Sequence, residues 1–239
     1  MTRACSRGWL LAGVAALAAC QRDAPPPPAP AAIDTPAPAA PAPSSEPATP
    51  TVASQDWTLP GTLEPLTTRQ ALEARFGKAH VREETFDGAE GIGTYPALVV
   101  FPDDPSRRLE LVLDAEDKDA PIQELRVRAP GSRWRDASGL RMGMTLSELV
   151  ALNGAPISFY GLEWDYGGTV QDWHGGRLAN AAGAALFRRV TLGARAGTSP
   201  DAVPIGDSVF RSDDPRLAGV GDALEVAEFG ISWPREGED

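Results

Sequence analysis

The feature that most limits what this chain can fold into is a run of proline and alanine near its amino end. Residues 24–50 contain eleven prolines and nine alanines and show no apolar periodicity. Proline lacks a backbone N–H and fixes φ, so the run can supply neither a helix nor an inner strand. It predicts a semi-extended spacer, whose reach is at most roughly 80 Å at about 3.1 Å per residue. The fold must therefore come from the 184 residues between Asp56 and Asp239, enough for one large domain or two small ones.

Ahead of the spacer lies a segment typical of export signals. Arg3 and Arg7 give a positive start, and residues 9–19 form an unbroken apolar run. That run is about half as long as the roughly 20 residues that a membrane-spanning helix needs. It ends in Leu-Ala-Ala followed by Cys20. This ending resembles the lipobox of bacterial lipoproteins.

The lipobox resemblance implies that residues 1–19 are a signal peptide, cut off before Cys20, and that Cys20 carries a diacylglyceryl thioether. Residues 20–55 are then the lipidated cysteine and its linker. Two acyl chains hold a protein firmly, at about 0.8 kcal/mol per buried CH₂. By the same resemblance, Gln21 in place of an aspartate implies the outer membrane, with the protein facing the periplasm. The inner membrane and the cell surface stay open as alternatives.

Cysteine usage and charge exclude several kinds of partner. Cys5 would leave with the signal peptide and Cys20 would carry lipid, so no thiol remains for a disulfide, a zinc site or a nucleophile. The chain has 22 basic and 33 acidic residues, and losing Arg3 and Arg7 leaves 20 basic ones. An acidic protein is repelled by nucleic acid and by anionic headgroups. We therefore expect membrane attachment through lipid alone, and no nucleic-acid partner.

Two short helices with matching signals are predicted, at Thr67–Phe76 and at Thr145–Asn153. The pattern Thr-x-x-Gln at 67–70 and the pattern Thr-x-x-Glu at 145–148 both have the spacing of a capping box. A glycine follows each helix, as is typical of helix ends. The two segments are similar enough to predict an internal repeat.

Strands are expected after each helix, from period-two alternation and turn residues. The predicted strands are 81–86, 95–101, 108–113 and 122–128 in the first unit, and 157–166, 169–173, 184–192 and 226–233 in the second. The two closing strands match, and this match predicts that four of their residues face a core: Leu125, Val127, Phe229 and Ile231.

These observations predict an α+β protein with two degenerate helix-plus-antiparallel-sheet repeats, at 56–135 and 136–239. From Gly77 to Glu124 is 47 residues, whereas from Gly154 to Glu228 is 74. The second repeat therefore carries a loop insertion, placed near 193–223 by its glycine, proline and serine content. Long loops in compact domains are often functional. Whether the two repeats share one sheet stays open at this point.

A further resemblance comes from the second helix unit. The segment 140–149, Leu-Arg-Met-Gly-Met-Thr-Leu-Ser-Glu-Leu, is followed by Gly-Ala-Pro at 154–156. It is similar to the tandem-repeat fold of the β-lactamase inhibitor protein and of the SmpA/OmlA outer-membrane lipoproteins. The strand lengths and the insertion at 193–223 depart from that pattern. The resemblance implies a non-enzymatic, protein-binding role and leaves the partner unidentified.

No catalytic, cofactor or metal motif stands out in the sequence, so we expect a non-enzyme without cofactor or metal. The alternative is an envelope hydrolase with one of two acid–base pairs. Glu163 and Asp165 would share one face of a strand, and a pair of carboxylates can cleave glycosides. Asp172 could orient His174 as a general base, although no serine is identifiable as its nucleophile. The acidic run 114–119 lacks the spacing of a calcium loop and is interpreted as a hairpin loop.

The favoured interpretation is a lipid-anchored binding or structural module of the cell envelope. It would contact an envelope protein through a sheet face or through the 193–223 insertion. The candidate contact residues are Trp173, because tryptophan is enriched in binding hot spots, and the carboxylates Glu163 and Asp165. The alternating aromatic residues Tyr160, Trp164 and Tyr166 are expected in the sheet core.

Overall fold

The computed structural model describes residues 56–88, 91–117, 119–180 and 185–234. The predicted signal peptide, Cys20 and the linker up to residue 55 lie outside the described residues. Two helices are described, α1 at Arg69–Phe76 and α2 at Leu146–Asn153. The strands, in chain order, are β1 Thr58–Leu59, β2 Val81–Asp87, β3 Thr94–Val100, β4 Leu109–Val112, β5 Glu124–Val127, β6 Arg135–Asp136, β7 Ser158–Tyr160, β8 Val170–Asp172, β9 Phe187–Ala194, β10 Val209–Arg211 and β11 Leu224–Ser232.

Most of these strands form one antiparallel sheet of six, in the order β2-β3-β4-β5-β11-β9. At its centre β5 pairs with β11, with Val127 opposite Phe229 and Leu125 opposite Ile231. A second sheet has three strands in the order β10-β7-β8, and β1 pairs with β6 in parallel. The predicted α+β class with antiparallel sheets is confirmed. Strands from both predicted units share the large sheet, which answers the question that the sequence leaves open.

One face of the large sheet lies against the core. The four residues predicted to face a core, Leu125, Val127, Phe229 and Ile231, are all fully buried. Helix α1 packs against β2 and β3, and α2 packs against β11. Each helix buries its apolar residues there: Leu72 and Phe76 from α1, and Leu146 and Leu149 from α2.

Local hydrogen bonds determine where each helix begins. At α2 the predicted capping box is confirmed: Glu148 N donates to Thr145 Oγ1 at 3.1 Å, and Thr145 N donates to Glu148 Oε2 at 2.8 Å. At α1 the predicted box of Thr67 with Gln70 is wrong, because the neighbouring Thr68 caps the helix by accepting from Ala71 N. Thr67 instead accepts a hydrogen bond from Glu64 N and closes the turn ahead of the helix.

Strand β7 ends at Tyr160, so the predicted strand 157–166 is wrong over its second half. A Cβ on Gly161 would lie 2.6 Å from the carbonyl oxygen of Gly206, so the chain at 161 is pressed against a segment far away in sequence. Beyond it the chain folds into turns, with Gly167 N donating to Trp164 O and Thr169 N donating to Tyr166 O. The aromatic residues of 160–166 therefore do not share one strand face.

The predicted loop at 193–223 is partly ordered into short elements. It contains β10 and three 3₁₀ turns at Pro200–Ala202, Pro215–Leu217 and Val220–Asp222. Because β10 pairs with β7, this segment supplies the outer strand of the smaller sheet. None of the helices in the described ranges is long and apolar enough to cross a membrane.

Candidate binding surface

An exposed group of large apolar side chains lies where β7 ends. The ring centroids of Tyr160 and Trp164 are 4.9 Å apart at 87°, and those of Trp164 and Tyr166 are 5.4 Å apart at 65°. Ile205 is bridged to Leu162 through the backbone, and Val209 lies opposite Tyr160 on β10. Tyr166, Ile205 and Val209 are 52%, 45% and 56% exposed. We call these five residues, Tyr160, Trp164, Tyr166, Ile205 and Val209, the aromatic patch.

The turns after β7 fix the geometry of this aromatic patch. The Trp164 indole Nε1 donates to Gly161 O at 3.0 Å, which anchors the central ring. Gly168 has φ +77°, and a Cβ there would overlap the carbonyl oxygen of Leu192. Only glycine fits such a left-handed position against the neighbouring backbone. The rings are therefore held by the fold in edge-to-face contacts, an arrangement that aromatic pairs favour.

Three carboxylates, here called the acidic rim, adjoin residues of the aromatic patch along the chain. Glu163 and Asp165 lie in the turn between the patch rings, and Asp207 lies between Ile205 and Val209. All three carboxylates are exposed, and none pairs with a basic side chain within the described residues. Two of the three candidate contacts predicted from the sequence, Glu163 and Asp165, thus lie beside the exposed rings. The strand-face carboxylate pair needed by the glycosidase alternative is absent, since both residues are in a turn and Glu163 has φ +66°.

The third predicted contact, Trp173, lies in the core instead. It is 5% exposed, and its carbonyl oxygen accepts a hydrogen bond from Asn153 Nδ2 at the end of α2. Its burial follows from the turn at 174–176, which packs beneath the helix. The aromatic surface comes from the exposed Tyr166 and the half-buried Trp164, which the sequence alternation assigns to the core. The signal for their exposure is Gly161, because a glycine inside a strand pattern often marks a close backbone approach.

The solvent face of the large sheet carries a dense network of arginine and glutamate side chains that bond to one another. Glu124 accepts from Arg126 Nε at 2.6 Å and from Arg189 Nε at 2.9 Å. Tyr95 Oη accepts from Arg126 and from Arg128, and Arg128 also donates to a Glu110 carboxylate oxygen at 2.7 Å. Among the described residues, every buried side-chain nitrogen and oxygen has a hydrogen-bond partner. This network stabilises the sheet.

The charge network predicts acid sensitivity. Burial raises the pKa of the Glu124 carboxyl, but the hydrogen bonds and charges of Arg189 and Arg126 outweigh burial and hold the pKa below 4.5. The pKa of Glu84 is lowered in the same way by Arg108 and Arg82. A carboxyl with a lowered folded pKa stabilises the fold above its unfolded pKa, and that contribution is lost as pH falls through the folded pKa. We expect the midpoint temperature of thermal unfolding to decrease as the pH is lowered from 5 to 3.

Thermal unfolding followed by circular dichroism across that pH range measures the effect. Glu124→Gln should unfold at a lower temperature than the parent at pH 7, and its midpoint should depend less steeply on pH. A parent protein and a Glu124→Gln variant with equal slopes would contradict the assignment.

The other predicted pair, Asp172 and His174, lies at the far end of β8. His174 N donates to Asp172 Oδ1 at 2.7 Å, and His174 Nδ1 lies 3.4 Å from Asp172 Oδ2. The structure adds a residue that the sequence analysis did not find. Ser158 Oγ lies 2.8 Å from His174 Nε2, because β7 and β8 place Ser158 opposite Asp172. No local pattern signals this contact, since it depends on strand pairing.

The described residues hold no group of three or more histidine, cysteine or acidic side chains that could bind a metal ion. In the acidic run 114–119, Asp114 Oδ1 accepts from the backbone N–H groups of Glu116 and Asp117, which closes a turn.

No protein-family model, curated protein sequence or solved structure matches this chain.

Proposed function

We propose that the chain is a lipid-anchored protein of the bacterial cell envelope that binds a protein partner through the aromatic patch. The observation that carries the proposal is the exposure of Tyr166, Ile205 and Val209 beside the half-buried Trp164, in a fixed arrangement of rings. Monomeric proteins rarely leave such apolar groups in water without a use. Tryptophan and tyrosine are also the side chains most enriched among residues that dominate binding energy.

The anchor of the proposal rests on the sequence. The lipobox-like ending at Cys20 supplies the lipid, and Gln21 favours the outer membrane with the protein facing the periplasm. The proline-rich run at 24–50 separates the binding domain from the lipid. Such a spacer can exceed the Debye length of about 8–10 Å, so it would keep an acidic domain clear of anionic headgroups.

We further propose that the domain arose from two helix-plus-sheet repeats, as in the tandem-repeat fold that the sequence resembles. The order α1-β2-β3-β4-β5 is followed by α2-β7-β8-β9-β11, with β10 as the inserted strand. The closing strands β5 and β11 lie side by side in opposite directions. Two units related by a twofold axis would place their closing strands in this way, whereas β7 and β8 of the second unit have moved into the smaller sheet.

The chemistry of the aromatic patch selects one kind of partner. The acidic rim of Glu163, Asp165 and Asp207 is exposed, and the chain carries a net charge of −11. Complementary charge steers association and excludes wrong partners. The partner is therefore a protein that presents an apolar contact surrounded by lysine and arginine.

The test is a binding measurement with the full-length, lipidated protein and its own envelope fraction. Proteins retained by the parent are identified by mass spectrometry, and the affinity of each is then measured at low and high salt. We expect Trp164→Ala to weaken the partner by about 30-fold or more, the effect of losing a hot-spot residue of about 2 kcal/mol. Binding of the parent should also weaken as salt is raised.

Ile92→Ala is the matched control, since Ile92 is an exposed apolar residue outside the aromatic patch. It should bind like the parent. A partner that binds Trp164→Ala and the parent equally would show that the aromatic patch is not the contact surface. A partner without a basic surface, or with salt-independent binding, would overturn the proposed chemistry.

A further inference from the structure

We propose that Ser158, His174 and Asp172 form a nucleophilic site that hydrolyses small carboxylic esters, an activity beyond the proposed partner binding, at a site that adjoins the aromatic patch and shares Tyr160 and Val209 with it. The hydroxyl of Ser158, the imidazole of His174 and the carboxylate of Asp172 lie next to one another, in the order nucleophile, base and orienting acid. Ser158 Oγ lies 2.8 Å from His174 Nε2, and His174 Nδ1 lies 3.4 Å from Asp172 Oδ2. A serine within hydrogen-bond reach of a base that a third group orients is the geometric mark of an activated nucleophile.

The fold holds each member of this triad in place. Strands β7 and β8 pair Ser158 with Asp172, which puts both side chains on one face of the smaller sheet. Ile157 and Phe159 are fully buried on the opposite face, and Ser158 itself is mostly buried, with 8% exposure. The same Asp172 carboxylate accepts from the backbone N–H of His174 and faces its ring. The imidazole thus contacts Ser158 at Nε2 and Asp172 at Nδ1.

The backbone at His174 is itself unusual. Its φ is +49°, in the left-handed region. A side-chain-bearing residue is strained there by roughly 1–2 kcal/mol, and such strain is concentrated at functional sites. Gly175, the next residue, has φ +70°, so two consecutive residues of this turn adopt the left-handed conformation. The result is an imidazole whose Nε2 meets the serine across the sheet.

A positive charge lies next to the nucleophile. Arg211 on β10 is directly opposite Ser158, on the side away from β8. Side chains of directly opposed residues have Cβ atoms about 4.5–5.5 Å apart, so the guanidinium can reach an oxygen bound at Ser158. Its salt-bridge partner Asp213 is at the surface, 2.8 Å away. Arg211 would stabilise the negative oxygen that forms when a carbonyl is attacked.

The neighbouring side chains define the substrate class. Tyr160 and Val209 lie on the same face as Ser158 and Arg211, one step along the paired strands. They offer apolar contact on an open surface, which suits a short aliphatic or aromatic ester and not a long polymer in a cleft.

The reaction balances with water as the only co-reactant. With the imidazole proton on Nδ1, Nε2 takes the Ser158 hydroxyl proton while Oγ forms a bond to the ester carbonyl carbon. The tetrahedral intermediate expels the alcohol, which receives the proton from Nε2. Water then attacks the acyl-serine and gives a proton to Nε2, and that proton returns to Oγ as the acid leaves. Ester and water become acid and alcohol.

The test uses the full-length protein with p-nitrophenyl acetate as substrate and a fluorophosphonate as covalent probe. We expect release of p-nitrophenol above the rate in buffer, and a probe adduct on the peptide that contains Ser158. Ser158→Ala should lose both. His174→Gln should reduce both rates by about 100-fold, the lower range for loss of a general base. Asp172→Asn should reduce them to a smaller extent, because Asp172 acts through His174.

Two controls match these variants. Ser199 is exposed and makes no capping hydrogen bond. His80 is the other histidine of the chain, and its ring centroid lies 5.0 Å from that of Phe101. Ser199→Ala and His80→Gln should react like the parent. Circular dichroism checks that each variant is folded. A folded parent that gives no adduct at Ser158, or an adduct rate unchanged in His174→Gln, would overturn the proposal whether or not a partner binds.

Discussion

Asp136→Ala will destabilise the protein by about 3–5 kcal/mol, the range found when one partner of a buried ion pair is removed. Asp136 is 2% exposed. Its Oδ2 accepts from Arg188 Nε at 2.6 Å, and its Oδ1 accepts from the N–H groups of Ser138 and Leu140. Alanine would leave the Arg188 guanidinium partly buried without its carboxylate, and it would also release the 136–140 turn. Urea denaturation followed by fluorescence measures the loss.

The matched comparison removes the arginine as well. In the double variant Asp136→Ala with Arg188→Met, no charge is left unpaired, so the loss should be smaller than the sum of the two single losses. Additive losses would indicate that the two side chains do not interact. If Asp136→Ala lowered the free energy of unfolding by less than about 1 kcal/mol, the Asp136–Arg188 pair would contribute no more than an ordinary surface ion pair, and the prediction would be wrong.

Phe229→Ala will destabilise the protein by a similar amount, about 3–5 kcal/mol, because it opens a cavity in the core. Phe229 is fully buried and sits between Val127 on β5 and Val190 on β9. The sheet joins both halves of the domain through this contact. We therefore expect the variant to keep a single cooperative transition at lower urea concentration, without a separate early transition for one half.

Two sets of probes distinguish these outcomes. Tryptophan fluorescence reports on tryptophans in both halves, among them Trp134 before α2 and Trp173 after it, while far-ultraviolet circular dichroism reports on the backbone. Coincident transitions would support one folding unit. Two separated transitions in Phe229→Ala would show that the halves fold independently. Phe86→Ala, at the edge strand and partly exposed, is the control and should lose much less.

Local signals were enough to predict the helices. The capping box at Thr145 and the left-handed Gly154 depend on a few neighbouring residues, so the start and end of α2 follow from sequence. At α1, two adjacent threonines offer almost the same cap, and the choice of Thr68 over Thr67 depends on a turn made with Glu64. That turn is itself local, but the capping pattern does not show which of the two threonines closes the turn and which caps the helix.

Pairing between distant strands was beyond the sequence. Alternation identified the buried residues of β5 and β11, but nothing in it shows that these strands lie side by side. The same limit applies to the aromatic patch. The alternating residues 160–166 predict one strand. In the structure, Gly161 lies against the 205–206 segment, more than forty positions away in sequence, and the strand ends there. The approach of Ser158 to His174 also depends on pairing, here between β7 and β8.

The place of β11 in the sheet also bears on how the domain is assembled. It is the last strand described along the chain, yet it lies inside the sheet between β5 and β9. When a ribosome synthesises the chain from its amino end, β5 and β9 lack their shared neighbour until β11 has emerged. The large sheet cannot close before then. Late closure therefore couples completion of the core to release of β11.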